Sequence, residues 1–463
     1  MRFSAEVAAM IRLAAPLALA QLAQIAMGAT DTVMLGTFGR NALAAGGLGA
    51  NLFFTSMIVV AGLLMSVSIL VSHARGADNR TRIAPSFRGG VLLAVALALP
   101  PMLLLWNIEP ILLRIGEAPE LAHAIARYDR VLLFAMPASL IMATQRGYLA
   151  AMGRPWMVMA VAFVAVLVNG FLNYGLIHGA WGLPHMGYLG SCTATLFTLW
   201  AMMLAIALEI RLTPALRPYR LFGRIDWQVV RELATLGFPI ALITAVEIIL
   251  FGFAPLIVGR FGETQLAAHQ ISMSVVSITF MVPLGISQAV NVRVGFYMGQ
   301  GSPGAVRKAA AAAYALGIGF MGTMGAVIVS VPAVIAGLYI LGDDPARGEV
   351  IALAARLLTI AAAFQVFDGA QTIAAGALRG LKDTRIPAAI AAFGYWGIGF
   401  TIAWFLGVRM GYQAVGIWWG LAAGLASVAV LLSARFWVLS GRLAALPESG
   451  YPVGSLAETA GQH

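Results

Sequence analysis

The sequence predicts an all-α integral membrane protein: twelve transmembrane helices in two pseudo-symmetric six-helix bundles, both termini cytoplasmic. Three observations predict it. The 463-residue chain is 60% hydrophobic and only 10% charged, with a mean hydropathy of +0.88, too few charges to cover a water-soluble surface. Its apolar runs reach the length of about 20 residues that a bilayer crossing needs. The first half of the chain also returns in the second at an offset of 223 residues.

That repeat is ungapped from Pro16 to Gly76. Pro16 matches Pro239, Gly36 matches Gly259, Phe38-Gly39 matches Phe261-Gly262, and Leu43-Ala44-Ala45 matches Leu266-Ala267-Ala268. Gly62 pairs with Gly285, Val71 with Val294 and Gly76 with Gly299. Internal duplication of this kind marks transporters built from two bundles.

Taken in order, the spans of the N-terminal lobe (1–209) fall at 10–35, 44–71, 87–107, 130–151, 156–177 and 188–209. The first run is too long for a signal-peptide core and is followed by more spans, so it reads as a retained helix. A cytoplasmic connection, 210–232, contains the basic, proline-broken LTPALRPYRLFGRIDW. The C-terminal lobe (233–440) holds spans at 233–258, 266–292, 308–340, 352–377, 386–407 and 412–436, followed by a cytoplasmic polar tail, 441–463. Six crossings per half return the chain to its starting side. The repeats therefore enter the membrane in the same sense, about an axis along the membrane normal.

Lysine and arginine set the orientation. With the amino terminus inside, 21 of the 29 basic residues face the cytoplasm, among them Arg75, Arg80, Arg82, Arg146, Arg293 and Arg379. The outer loops hold eight, offset by Glu109, Glu117, Glu120, Asp129, Glu263, Asp343, Asp344 and Glu349. The net charge of +10 is thus spread over short loops facing anionic lipid, which argues against nucleic acid as a partner. Cys192 is the only cysteine, so no intrachain disulfide forms. Gly317 to Gly322 spells G-x-G-x-x-G inside an apolar span, where it reads as a packing surface and not a dinucleotide loop. No Walker loop, paired histidines or G-x-S-x-G elbow is present, and the chain does not read as an enzyme.

Three carboxyls lie within spans: Asp31, Glu247 and Asp368. Each costs roughly 2.5–3.5 kcal/mol at a helix centre, so each calls for a role. They are candidates for binding and releasing a proton or coordinating a cation. Asp31 shares a helical face with Gln24, Met27 and Gly28. Asn169 and Asn173 stack four apart on the fifth span, either to complete a site around Asp31 or to join helices. Glu247 sits deep in the seventh span, and Pro255 frees the carbonyl of Phe251 one turn beyond it. Asp368 lies in a polar stripe with Gln365, Gln371 and Thr372, and the eighth span adds Ser274, Ser277, Gln288 and Asn291. Phe53, Phe54, Met57, Met65, Phe280, Met281, Phe364 and Phe367 are candidates to line an apolar cleft for flat organic cations, or to face lipid and neighbouring helices. The repeat offset pairs Asp31 with Ala254 and Glu247 with Gln24, so the lobes share a scaffold but not their acids.

ATDTVMLG at 29–36, LGFPIALITAVEIILF at 236–251 and FQVFDGAQTIAAGALRGLKDT at 364–384 resemble the multidrug and toxic compound extrusion (MATE) family, in its bacterial NorM-like branch. The resemblance covers about residues 8–438. It implies a MATE-like pair of lobes that expels dyes, fluoroquinolones and other organic cations against an inward sodium or proton gradient. It puts Asp31 on the family's first-helix acid, Asn169 and Asn173 on the polar pair beside it, and Pro16 on the first-helix proline tied to bending. Glu247 and Asp368 fall on the acid pair of the cation site, where Phe364 replaces a tyrosine of some sodium-coupled relatives. The expected function is therefore cation antiport by alternating access, with H+ or Na+ as coupling ion and no cofactor. The chain is expected as a monomer in the bacterial inner membrane. The rivals are a flippase for a lipid-linked saccharide, which an acidic membrane interior disfavours, a membrane enzyme and a channel.

Overall fold

The computed structural model describes residues 3–219, 223–340 and 345–445, and among them every regular element is helical. The helices are α1 (Phe3–Phe38), α2 (Arg40–Gly76), α3 (Arg80–Trp106), α4 (Pro119–Leu132 and Met136–Ala151), α5 (Pro155–His178) and α6 (Leu189–Leu212). The second half follows with α7 (Trp227–Gly259), α8 (Glu263–Gly299), α9 (Pro303–Ser330), α10 (Arg347–Gly380), α11 (Arg385–Arg409) and α12 (Gln413–Ala444). Eleven of these are each long and apolar enough to cross a membrane. The twelfth, α4, is two shorter helices joined by a 3-10 turn at Leu133–Ala135.

Local chemistry explains where the helices begin and end. Proline opens α5 and α9, where its missing N–H costs nothing. Asp226 Oδ1 accepts the backbone N–H groups of Gln228 and Val229 (3.0 and 3.3 Å) and so caps α7. Gly39 and Gly262, equivalent in the repeat, turn the chain into α2 and α8 at φ of 131° and 117°, a backbone region that favours glycine. The expected span 308–340 is in fact α9 followed by a short helix, Pro332–Gly337, because Val331 before the proline leaves the helical region. The expected tail begins with the end of α12, and 446–463 lie outside the described residues, as do Asp343 and Asp344.

The chain forms two compact units, Leu19–Ala241 and Met1–Ala18 with Leu242–His463. The lobe boundaries drawn from the sequence, at 209 and 233, follow chain order; the units instead change over within α1 and α7. Both changes come two residues after a repeat-equivalent proline, Pro16 or Pro239. In the unit Leu19–Ala241, a Cβ on Gly237 of α7 would lie 2.3 Å from the Leu63 carbonyl oxygen of α2. In the other unit, a Cβ on Gly285 of α8 would lie 2.7 Å from the Ala18 backbone nitrogen of α1. Glu6 of α1 also accepts from Arg293 (2.8 Å) and Tyr297 (2.7 Å) of α8, with Glu6 almost wholly buried. The first stretch of α1 is thus fixed to α8 by both packing and charge.

Within Leu19–Ala241, α4 packs on α2, α3 and α6. Within the other unit α10 is central, lying against α8, α9 and α12. Small residues permit that closeness: a Cβ on Gly376 would lie 2.4 Å from the Ser287 carbonyl oxygen. Of the G-x-G-x-x-G glycines, only Gly317 packs tightly, against Ile373; Gly319 and Gly322 have nothing within 4 Å.

Candidate functional site: a carboxyl cluster in each unit

In the unit Leu19–Ala241, Asp31 is 5% exposed and both its oxygens hold neutral donors. Asn173 Nδ2 donates to Oδ1 at 2.7 Å and Thr195 Oγ1 to Oδ2 at 2.8 Å. Asn173 also donates to the Asn169 carbonyl (3.0 Å), and Asn169 Nδ2 reaches Thr195 Oγ1 at 3.4 Å. The stacked asparagines of α5 therefore do join Asp31, and Thr195 of α6 completes the set. The side-chain oxygens of Asn169 and Asn173 are buried without partners, leaving acceptors beside an acid.

In the other unit, Gln371 stands between two acids. Its Nε2 lies 3.4 Å from Glu247 Oε1, 3.2 Å from Asp368 Oδ1 and 3.3 Å from Thr372 Oγ1. One amide nitrogen, with two N–H groups, faces three acceptors. The Tyr395 hydroxyl of α11 donates to Gln371 Oε1 at 2.8 Å. Arg379 of α10 stands within electrostatic range of Glu247 and donates to Ser287 Oγ and the Ala375 carbonyl, both at 3.1 Å.

The other expected residues divide. Gln365 is fully buried with neither amide atom bonded, outside the Glu247–Asp368 network. Gln24, half-buried, accepts from Arg146 of α4 at 3.1 Å, and Gln21 accepts from the same guanidinium. Met27 is buried. Met57, Phe280, Met281 and Gln288 are half-buried. Ser274 and Ser277 are exposed and bond back to their own helix, at 2.9 and 2.8 Å. Phe364 is buried against Trp418, ring centroids 5.5 Å apart, whereas Phe367 is 41% exposed. Pro16 and Pro255 lie inside α1 and α7, both half-buried.

Sequence reasoning missed several residues. Thr195 supplies a hydroxyl to Asp31 and Tyr395 one to Gln371 beside the Glu247–Asp368 pair, and a hydroxyl in an apolar span gives little warning. Arg146 and Arg379 were counted as loop charges but bond within their bundles. Asp129 was placed among the outer-loop acids. It is fully buried, neither carboxyl oxygen is bonded, and a Cβ on Gly49 would lie 3.1 Å from Oδ1. The reason is that α4 starts at Pro119, with Ala122, Ile125, Ala126 and Asp129 on its buried face.

Buried acids inside a polytopic helical bundle mark an ion or substrate pathway, as a membrane transporter has. The chain belongs to the MatE family, whose model matches residues 16–175 and 239–405; the two matches begin at the repeat's own prolines, Pro16 and Pro239. It is 48% identical over 437 residues to the multidrug resistance protein NorM of Burkholderia vietnamiensis, covering 94% of this chain and 95% of that one. A probable multidrug resistance protein NorM of Mesorhizobium japonicum is 41% identical, covering 95% of each chain. The fold matches a crystal structure of a eukaryotic MATE transporter at a TM-score of 0.87 and 18% identity, over 95% of this chain and 98% of that one. A MOP superfamily transporter from Pyrococcus furiosus matches at 0.84 and 17%, over 95% and 97%.

Proposed function

We propose that this chain exports organic cations, dyes and fluoroquinolones among them, from the cytoplasm in exchange for inward H+ or Na+. It does so by alternating access of its two lobes in the bacterial inner membrane, with both termini inside. The observation that carries this reading is the Glu247–Asp368 pair, two membrane-embedded acids sharing one amide donor. The names of its relatives support multidrug export as the task.

The pair has one shared amide donor for two acids, so it takes up a coupling ion from outside. Neutralising it removes the counter-charge that holds a cationic cargo, which leaves outward. Return of the ion-loaded protein and release of the ion to the cytoplasm restore the negative site. Each charge moved inward contributes roughly 2.3 kcal/mol per 100 mV. Asp31, with a neutral donor on each oxygen, needs no ion to be satisfied and serves as a fixed charge that attracts cations.

The test is efflux of a fluorescent cation from proteoliposomes under separate sodium and pH gradients, with Glu247→Gln and Asp368→Asn in parallel. Gradient-driven efflux that both variants lose supports the reading. Absence of efflux under either gradient sinks it and favours transport of a lipid-linked saccharide.

A further inference from the structure

Two π-helical stretches, Phe393–Phe400 and Phe405–Arg409, interrupt α11. A π turn inserts an extra residue and redirects the side chains around it, and such turns gather at functional sites. Here adjacent residues reach the two helices that carry the acids. Tyr395 donates to Gln371 Oε1 on α10, and Trp396 Nε1 donates to the Val246 carbonyl on α7 at 3.3 Å, one residue before Glu247. Packing behind the turn fixes its register. A Cβ on Gly394 would lie 2.4 Å from Val428 Cγ2, and one on Gly399 3.0 Å from Gly424 Cα, both on α12.

Tyr395 therefore decides which way the Gln371 amide faces. With Oε1 taken by the hydroxyl, the nitrogen points at Glu247 and Asp368. A sodium ion is held by oxygen lone pairs and is repelled by N–H groups in its place, whereas a proton needs a single carboxyl oxygen. The charged and titratable groups around the pair are Arg379 and Tyr395, and neither offers a metal ion a negative ligand. Phe364, one turn before Asp368, offers no oxygen and packs against Trp418.

We propose that Tyr395 sets the ion specificity of the Glu247–Asp368 pair: by holding the N–H groups of Gln371 toward the acids, it makes the pair accept a proton and refuse sodium. This rests on the pair being the coupling site. Tyr395 is a positioning residue, acting through Gln371.

The test is the ratio of efflux driven by an inward sodium gradient to efflux driven by a pH gradient of equal size, using the full chain in proteoliposomes. The expected ratio is well below one for the natural protein. It rises at least tenfold in Tyr395→Phe, where the freed amide can turn its carbonyl to the acids. Gln371→Glu, which puts an oxygen where the N–H groups stood, raises the ratio too and serves if Tyr395→Phe folds poorly. A natural protein driven by sodium overturns the proposal. So does an unchanged ratio in both variants, including the case where both drives fall together as a purely structural role requires. If Glu247→Gln and Asp368→Asn leave both drives intact, it is instead the underlying reading of the pair that fails.

Discussion

Asp31 and the Glu247–Asp368 pair are both carboxyl sites inside apolar bundles, yet they are satisfied in opposite ways. Asp31 has two donors for one acid. Hydrogen bonds to a charged group contribute about 1.5–3 kcal/mol each, enough to offset the roughly 2.5–3.5 kcal/mol cost of an acid at a helix centre. The pair has two acids, so about twice that cost, and one amide shared between them, with Arg379 and Tyr395 adding support on the Glu247 side. A site already satisfied can hold its charge through a transport cycle. One short of donors gains by taking up an ion, and this difference supports the proposed coupling role of the pair and cation attraction by Asp31.

The sharpest way to break this comparison is to neutralise each site in turn. Glu247→Gln or Asp368→Asn should lower gradient-driven efflux more than tenfold while leaving downhill movement of the cation measurable by dye release. Asp31→Asn should act on cargo instead, raising the apparent KM for the cation about tenfold, equivalent to about 1.4 kcal/mol, with the response to the gradient retained. Equal loss of coupling in all three variants would erase the distinction.

Thr195→Val tests the donor argument itself. It removes one of the two donors to Asp31, and thermal unfolding in detergent should show a loss of about 1–3 kcal/mol; no change would mean the hydroxyl is not needed there. The smallest effect is expected at Glu109, just before α4, which serves as a control. Its pKa is lowered, chiefly by the hydrogen bond with His123, with Arg130 adding to it. A depressed carboxyl pKa stabilises the fold above the ordinary glutamate value of about 4.3. That contribution fades as pH falls through the lowered value. Glu109→Gln should therefore unfold slightly sooner at neutral pH, match the natural protein in strong acid and transport normally.

Most of the fold was legible because the signals were large. Spans stand out by length, and an ungapped repeat exposes two halves. Asp31, Glu247 and Asp368 were legible for a related reason: an acid is conspicuous where nearly every neighbour is apolar. Their partners were not, since Thr195, Gln371 and Tyr395 belong to types that membrane helices tolerate without a role, and their meaning depends on which helix lies opposite. Asp129 was misplaced because hydropathy marks where a helix becomes greasy, not where it starts. The changeover within α1 and α7 was hidden for another reason: chain order assigns a helix to one half, and nothing in its composition says that its first turns pack elsewhere.

The most direct test of the central claim is the ratio of gradient-driven to downhill efflux of one fluorescent cation, measured side by side for Glu247→Gln and Asp31→Asn in proteoliposomes. The account predicts that the ratio collapses toward one in Glu247→Gln and keeps its natural value in Asp31→Asn. A preserved ratio in Glu247→Gln together with a collapsed one in Asp31→Asn would contradict it, and would move the coupling site into the other unit.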